Sequence, residues 1–459
     1  MNIQANTKEA VELFRQGSLA FADIHENGFC VDVPYCEKQQ KHLERRMKWL
    51  DNSMGKTTIG KEWRKKFGRI DWESDDQLRY ILFDYLAEKS TKKTKKGNKS
   101  TDATVLDRLG KQHPMLKDLS TRRKLSKCHG TFLKGIMENQ VDGVLHGMFS
   151  LMVVKSFRSS SSKPNFQNFP IRNPMQSKII RRAFIPDEGN MLMEIDFSGA
   201  EVRVAACYHQ DPEMIQDILD PLRDMHRDMA MECYMLDPTT LGAKGSKTYK
   251  NLRYCGKNKF VFPAFYGQYY AQLGLALWEA IEDLDLVTAT GLPLHEHLER
   301  KGIRTYSAFE KHIEKVENDF WNRRYRVYNQ WKKKWYKNYL KRGYFDSFTG
   351  FRYEGVFKRN QVINFPVQGS AFHCLLWSLI RLNKWLQQKQ MDSCLIGQIH
   401  DSILGDVAPY EKDAYIKKAL QIMSKDIQKE WKWLIVPLEV EVEATPINGS
   451  WYEKEEIKI

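Results

Sequence analysis

Two apolar runs, MLMEIDF at residues 191–197 and IGQIHDSIL at 396–404, each carry an aspartate, Asp196 and Asp401, among Ile, Leu, Met and Phe. Such runs read as strands: the first alternates as a half-buried strand ending in Asp196, and the second reads as part of a buried hairpin, GQIHDSILGDV, interrupted by His400 and Asp401. A carboxylate committed to a sheet interior is costly unless a cation pairs with it. The chain must therefore fold so that both acids meet positive charge. Mg²⁺ answers that demand, since it takes oxygen ligands and is held by one or two carboxylates together with substrate phosphates.

The rest of the composition narrows the partner. Lys and Arg number 72 against 58 Asp and Glu, a net charge of +14 that favours a polyanion such as nucleic acid. The eight cysteines contain no C-x-x-C pair and no zinc spacing, so reduced thiols are expected rather than a disulfide framework or a structural metal. No apolar run approaches the roughly 20 residues of a membrane helix, and MNIQANTKEAVELF has neither a signal core nor an Arg-rich transit pattern. A multi-domain, cytoplasmic chain without membrane contact is the expectation.

Helical periodicity over 8–50 is broken by the short strand GFCVDV, and TVLDRLGKQHPMLKDLSTRRKLSKCHGTFLKGI reads as two helices broken near His113 and Pro114. Between them KSTKKTKKGNKST, 89–101, holds no apolar residue and reads as a solvated, lysine-rich tip able to contact phosphates. From residue 158, RSSSSKPNFQNFPIRN is polar and turn-rich, with little capacity for regular structure. SGAEVRVAACY opens a helix behind Asp196; 226–340 is mostly helical with interleaved aromatic and basic residues; the last 120 residues or so return to mixed α/β with strands at 395–407 and 435–443.

RYCGKNKFVFPAFYG, 253–267, sets Arg253 and Lys257 one helical turn apart and Phe262 and Tyr266 likewise, a pattern suited to a triphosphate and a stacked base. With these segments in order, the chain resembles the polymerase module of the family A DNA polymerases, the DNA polymerase I type, over nearly its whole length. RSSSSKPNFQNFPIRN resembles the template-primer segment, DFSGAEVR the first catalytic motif, RYCGKNKFVFPAFYG the nucleotide-binding helix, INFPVQGSA the minor-groove segment and QIHDS the second catalytic motif.

The resemblance implies an α+β, mixed fold: a right hand with an antiparallel-sheet palm, helical fingers and a helical thumb. It divides the chain into an N-terminal palm-associated segment (1–40), thumb (41–150, with the lysine-rich tip near 89–101), first palm part (151–225), fingers (226–342) and second palm part (343–459). It implies a DNA-directed DNA polymerase adding deoxynucleoside triphosphates to a primer 3′-hydroxyl by two-metal phosphoryl transfer. Asp196, Asp401 and the Phe197 carbonyl would hold two Mg²⁺, with Mn²⁺ as a substitute. Glu201 would exclude a 2′-hydroxyl; His226, Arg253 and Lys257 would contact the triphosphate, with Lys257 as general acid toward pyrophosphate; Phe262 would bear on the sugar and Tyr266 stack at the templating site. Arg158, Asn165, Gln167, Asn168, Arg172, Asn364, Gln368 and His400 would position primed DNA.

Three positions depart from the family pattern. The helix Lys stands four before the Phe in the family, whereas here Lys257 is five before Phe262 and Lys259 three before it. At about 100° per residue Lys259 shares the Phe262 face, while a π-bulge near Pro263 would return Lys257 to it, so both stay as triphosphate candidates. Ser402 stands where a second acid is frequent, and Asn360 where an Arg is, beside Arg359. Only about 20 residues precede ADIHENGFCVDV, too few for a domain, which sets the expectation of no 3′–5′ exonuclease in this chain. The organisation suits a monomeric phage or plasmid replicase in a bacterial cytoplasm, partnered by a separate exonuclease, helicase or processivity factor. A two-metal nuclease and a non-catalytic, polymerase-derived nucleic-acid-binding protein are the alternatives.

Overall fold

In a computed structural model, which describes residues 3–90, 93–94, 96–171 and 173–458, a five-stranded antiparallel sheet carries both acidic segments. Its strand order is Glu455–Glu456, Glu439–Ala444, Met191–Ser198, Ser402–Val407, Cys394–Ile399. Met191–Ser198 lies at the centre, with Asp196 opposite Ser402 on one side and Glu441 on the other.

The central strand is buried from Met191 to Ile195, which corrects the half-buried reading. Both faces are covered. Met193, Ile195 and Phe197 enter one apolar core, together with the helical lobe that follows; Leu192, Leu404 and Trp451 enter a second. Alternation along a strand then puts Leu192, Glu194 and Asp196 on the second face, beside Ser402.

The long helix Arg359–Lys389 packs against the sheet and is buried on nearly every residue from Gly369 to Ile380, as expected of a central helix. Pro366 inside it removes one backbone donor and frees the Val362 carbonyl. The Trp335 indole satisfies that carbonyl at 3.0 Å, so a neighbouring helix repairs the defect. Thr7–Asn27 packs on this helix and on Cys394–Ile399.

The second core extends into a helical lobe built by Val33–Lys56, Thr58–Phe67 and Pro114–Lys127, centred on Trp63, Leu78, Leu116 and Leu125. Asp32 caps the first of these by accepting from the Tyr35 amide, and Pro34 occupies its first turn. The break at His113 and Pro114 is present, between Ala103–Leu109 and Pro114–Lys127. The polar segment after Arg158 is more ordered than its composition suggests: Ser160–Ser162 pairs with Met148–Ser150, and Phe166–Asn168 forms a 3₁₀ turn anchored by the buried Phe166 ring. Among the described residues no helix is long and apolar enough to cross a membrane.

Candidate active site

Asp401 sits in the tight turn between Cys394–Ile399 and Ser402–Val407, rather than within a strand. His400 precedes it at φ 54°, a left-handed conformation that reverses the chain. The turn is tied down from several sides. Gln398 Nε2 donates to the His400 carbonyl, the Phe197 amide donates to the Asp401 carbonyl at 3.4 Å, and Ser402 Oγ lies 2.9 Å from both Glu194 Oε1 and the Ile399 carbonyl.

Asp196 faces this turn from the central strand. Burial pushes its pKa up to about 7, and the nearby carboxylates of Asp401 and Glu194 add to the shift. Its Oδ1 is buried with no hydrogen-bond partner. An orphaned carboxylate oxygen beside a second carboxylate is a cradle for a hard cation, and the donor set suits Mg²⁺ completed by phosphate oxygens. The described residues contain no cluster of three or more His, Cys, Asp or Glu side chains able to hold a metal alone, so such an ion would depend on substrate for further ligands.

Gly199, at φ 63°, turns the chain from the strand into Ala200–His209 and places Glu201 in the first helical turn. Burial raises the Glu201 pKa, against Arg158 and Tyr266, which hold the carboxylate. Arg158 Nη2 donates to Glu201 Oε1 at 2.9 Å and to Asp401 Oδ1 at 3.4 Å, and the Tyr266 hydroxyl donates to Glu201 Oε2 at 2.5 Å. Glu201, Tyr266 and Asp401 border a cavity of about 220 Å³, with Phe262, Asn364 and Gln368 on its other walls. Asn364 and Gln368 stand four apart, on one face of the long helix.

An adjoining cavity of about 350 Å³ shares Gly199, Val202 and Phe262 with the first and is lined by His226, Arg253 and Lys257. Asp224 organises this wall. Its carboxylate caps Met225–Tyr234 by accepting from the His226 and Arg227 amides, and its Oδ2 accepts from Arg253 Nε at 2.6 Å. Burial, then Arg253 and Lys257, push the His226 pKa down to about 4, so the ring is neutral near pH 7. Burial and Arg253 also lower the Lys257 pKa.

The helical segment 247–265 contains a π-helical turn over Gly256–Val261. It adds one residue to the turn and brings Lys257 Nζ over the Phe262 ring, 5.2 Å from its centroid. Lys259, in the same turn, is half-buried. Close packing of this turn needs Gly256, where a Cβ would stand 2.1 Å from the His226 carbonyl oxygen.

A third cavity, about 320 Å³, shares Phe265 and Asn364 with the first and is lined by Gln268, Trp321, Lys332, Lys333, Arg359 and Asn360. In the polar loop, Asn165 Oδ1 accepts from the Gln167 amide, and Gln167 Nε2 donates to Ser159 Oγ at 3.0 Å, which in turn donates to Gln398 Oε1. Gln167 thus braces the Asp401 hairpin. The Asn168 amide donates to the Asn165 carbonyl, His400 is exposed at the turn, and Arg172 lies outside the described residues.

Sequence reasoning passed over Asp224 and Glu194, though both were readable. Asp224 precedes a helical run as an N-cap should, and Glu194 stands two residues from Asp196, hence on the same strand face. Glu194 is buried and fully bonded: Trp451 Nε1 donates to its Oε2 at 2.9 Å and Lys454 Nζ at 2.5 Å. Burial pushes its pKa up, but Lys454, Trp451 and Arg181 outweigh it and hold the carboxyl below its usual range.

A central antiparallel sheet with paired carboxylates at one edge of a hairpin, flanked by two helical lobes and a cationic cavity, is the right-hand polymerase architecture. The profile of DNA polymerase family A matches residues 33–453, and the chain belongs to that family. It is 27% identical over 456 residues to the thermostable DNA polymerase I of Thermus filiformis, covering 96% of this chain and 48% of that protein. With DNA polymerase I of Geobacillus stearothermophilus it shares 27% identity over 386 residues, 83% of this chain and 39% of the other. The chain thus spans about half the length, or less, of these curated relatives. The solved polymerase domain of Pol1 from M. smegmatis, in complex with DNA primer-template and dNTP, superposes with a TM-score of 0.73 at 23% identity, over 95% of this chain and 70% of that one, a likeness of fold.

Proposed function

We propose that the chain is a DNA-directed DNA polymerase that extends a primer 3′-hydroxyl with deoxynucleoside triphosphates, copying a template and releasing pyrophosphate. The observation that carries the reading is the adjacency of the two inner cavities: Asp401, whose turn Asp196 faces from the central strand, borders one, His226, Arg253 and Lys257 line the other, and Phe262 is common to both. Membership of the family and the DNA and dNTP in the solved neighbour support it.

Asp196, Asp401 and the Phe197 carbonyl would hold two Mg²⁺, or Mn²⁺ in exchange, whose contribution when bound is to acidify the primer hydroxyl and neutralise the leaving pyrophosphate. Arg253, held in place by Asp224, and neutral His226 bind the triphosphate oxygens. Lys257, its pKa already lowered, gives up a proton to pyrophosphate more readily than an ordinary lysine. Glu201, fixed from both sides by Arg158 and Tyr266, stands where a 2′-hydroxyl would need space. Phe262 offers the sugar no hydroxyl. Asn364, Gln368, the 158–173 loop and His400 bear on the duplex.

In this reading 41–150 is the thumb, 226–342 the fingers, and 151–225 with 343–459 the palm, on which 1–40 packs. The protein works as a monomer on primed DNA, alongside a processivity factor, helicase or exonuclease of separate origin. The test is primer extension with Mg²⁺ and four deoxynucleotides, comparing wild type with Asp401→Asn, with primed-DNA binding measured on both. Extension by wild type alone, with equal binding, supports the polymerase. Binding without extension in either metal assigns a non-catalytic role, and trimming of the primer assigns a nuclease.

A further inference from the structure

The Glu194 cluster lies outside the catalytic groups described so far, yet it touches the catalytic turn. Its two carboxylate oxygens divide their work. Oε1 takes the Ser402 hydroxyl, one residue after Asp401, while Oε2 takes Trp451 Nε1 and Lys454 Nζ from the C-terminal segment. Lys454 also pairs with Glu443 on the next strand, and the Arg181 guanidinium stacks 3.9 Å above the Trp451 ring. Trp451 is completely buried and Glu194 is 8% exposed, so neither oxygen has water as a substitute partner.

We propose that Glu194, acting through Ser402, is a positioning residue that sets the turn carrying Asp401 against the Asp196 strand. This inference deepens the polymerase reading and rests on it for its catalytic meaning. The physical case is the geometry of the turn. Asp401 follows a left-handed His400, and the residues flanking this reversal are Ile399 and Ser402, which the Ser402 hydroxyl joins through its 2.9 Å approach to the Ile399 carbonyl. Glu194 is one pleat from Asp196 on the same face. It therefore fixes the turn relative to the very strand that must share its cation.

The same contact accounts for Ser402. An acid at 402 would remove the hydroxyl donor that reaches Glu194 Oε1 and set one carboxylate acceptor against another.

The test compares wild type, Ser402→Ala, Ser402→Thr, Ser402→Asp and the double variant Glu194→Gln/Ser402→Asp, each checked for unaltered melting. Two readouts are independent of turnover: hydrogen exchange of the amides in 399–403, and binding of Mn²⁺ to the free protein by electron paramagnetic resonance. Ser402→Ala is expected to speed exchange in the turn, weaken Mn²⁺ binding and lower kcat for primer extension about tenfold while KM for dNTP stays within about twofold. Ser402→Thr, which restores the hydroxyl, reverses all three. Ser402→Asp alone is worse than the double variant. Unchanged exchange and Mn²⁺ binding in Ser402→Ala would reduce Glu194 to a buried structural ion pair and overturn the proposal. If the wild type itself does not extend primers, the polymerase reading falls, while exchange and Mn²⁺ binding still decide the positioning claim.

Discussion

Lys332 faces the third cavity under unusual conditions: its ammonium lies 2.9 Å from the Trp321 ring centroid and 5.3 Å from that of Tyr328. Burial, then the charges of Arg359 and Lys333, push its pKa from 10.5 down to about 7. The sign of the effect follows from proton counting. Above pH 10.5 the amine is neutral folded or unfolded. Between pH 10.5 and 7 only the unfolded chain holds the proton, so stability falls as pH drops, and below 7 the full penalty remains. A shift of that size is worth about 5 kcal/mol at 1.36 kcal/mol per unit. The cavity opens to water and the cation–π contact returns about 2 kcal/mol, which leaves roughly 2–3 kcal/mol. Lys332→Met keeps the stem against Trp321 and removes the charge. It should stabilise the protein by about 2 kcal/mol at pH 7, with the advantage shrinking by roughly half or more at pH 9.5. The assay is guanidinium unfolding at both pH values, read as midpoints at constant slope. A variant less stable than wild type at both, or a gap independent of pH, would refute the reasoning. Sulfate in the cavity should narrow the gap at pH 7, because a bound anion stabilises the ammonium form of Lys332 in the wild type.

Glu201→Ala should lower the preference for deoxy- over ribonucleotides by roughly 5- to 100-fold, the worth of one excluded hydroxyl, and an unchanged ratio of kcat/KM values would remove Glu201 from sugar selection. Phe262→Tyr adds a phenolic hydroxyl at the sugar and should raise dideoxynucleotide incorporation on the order of 10- to 100-fold in a termination assay. Gly256→Ala drives a methyl into the His226 carbonyl oxygen and should cost about 1–3 kcal/mol while raising KM for dNTP. Gly130→Ala, in a helical turn where a Cβ meets nothing within 4 Å, serves as the control and should leave KM unchanged and melting no lower than wild type.

Much of this site is local and therefore legible. Asp196, Glu201, Arg253 and Phe262 stand in short ordered segments whose periodicity already places them on a strand or a helix face, and the charge balance already points to a polyanion. Even the spacing conflict between Lys257 and Lys259 contained its answer, since an extra residue in a helix must either rotate the face or widen a turn, and the structure widens it at Gly256–Val261. Other features depend on what packs where. The central strand looks half-buried until helices are known to cover both faces, and Asp401 looks like a strand residue until the hairpin closes at His400. The partners of Glu194 come from Ser402, Trp451 and Lys454, more than two hundred residues away, and Arg158 bridges Glu201 and Asp401 across a comparable distance. The sequence by itself determined most of the helices and strands, the family and the candidate side chains of the site, because those depend on neighbours a few residues off. Only the tertiary structure decided which charges neutralise one another, because a buried carboxylate is set by the cations and donors that folding carries to it.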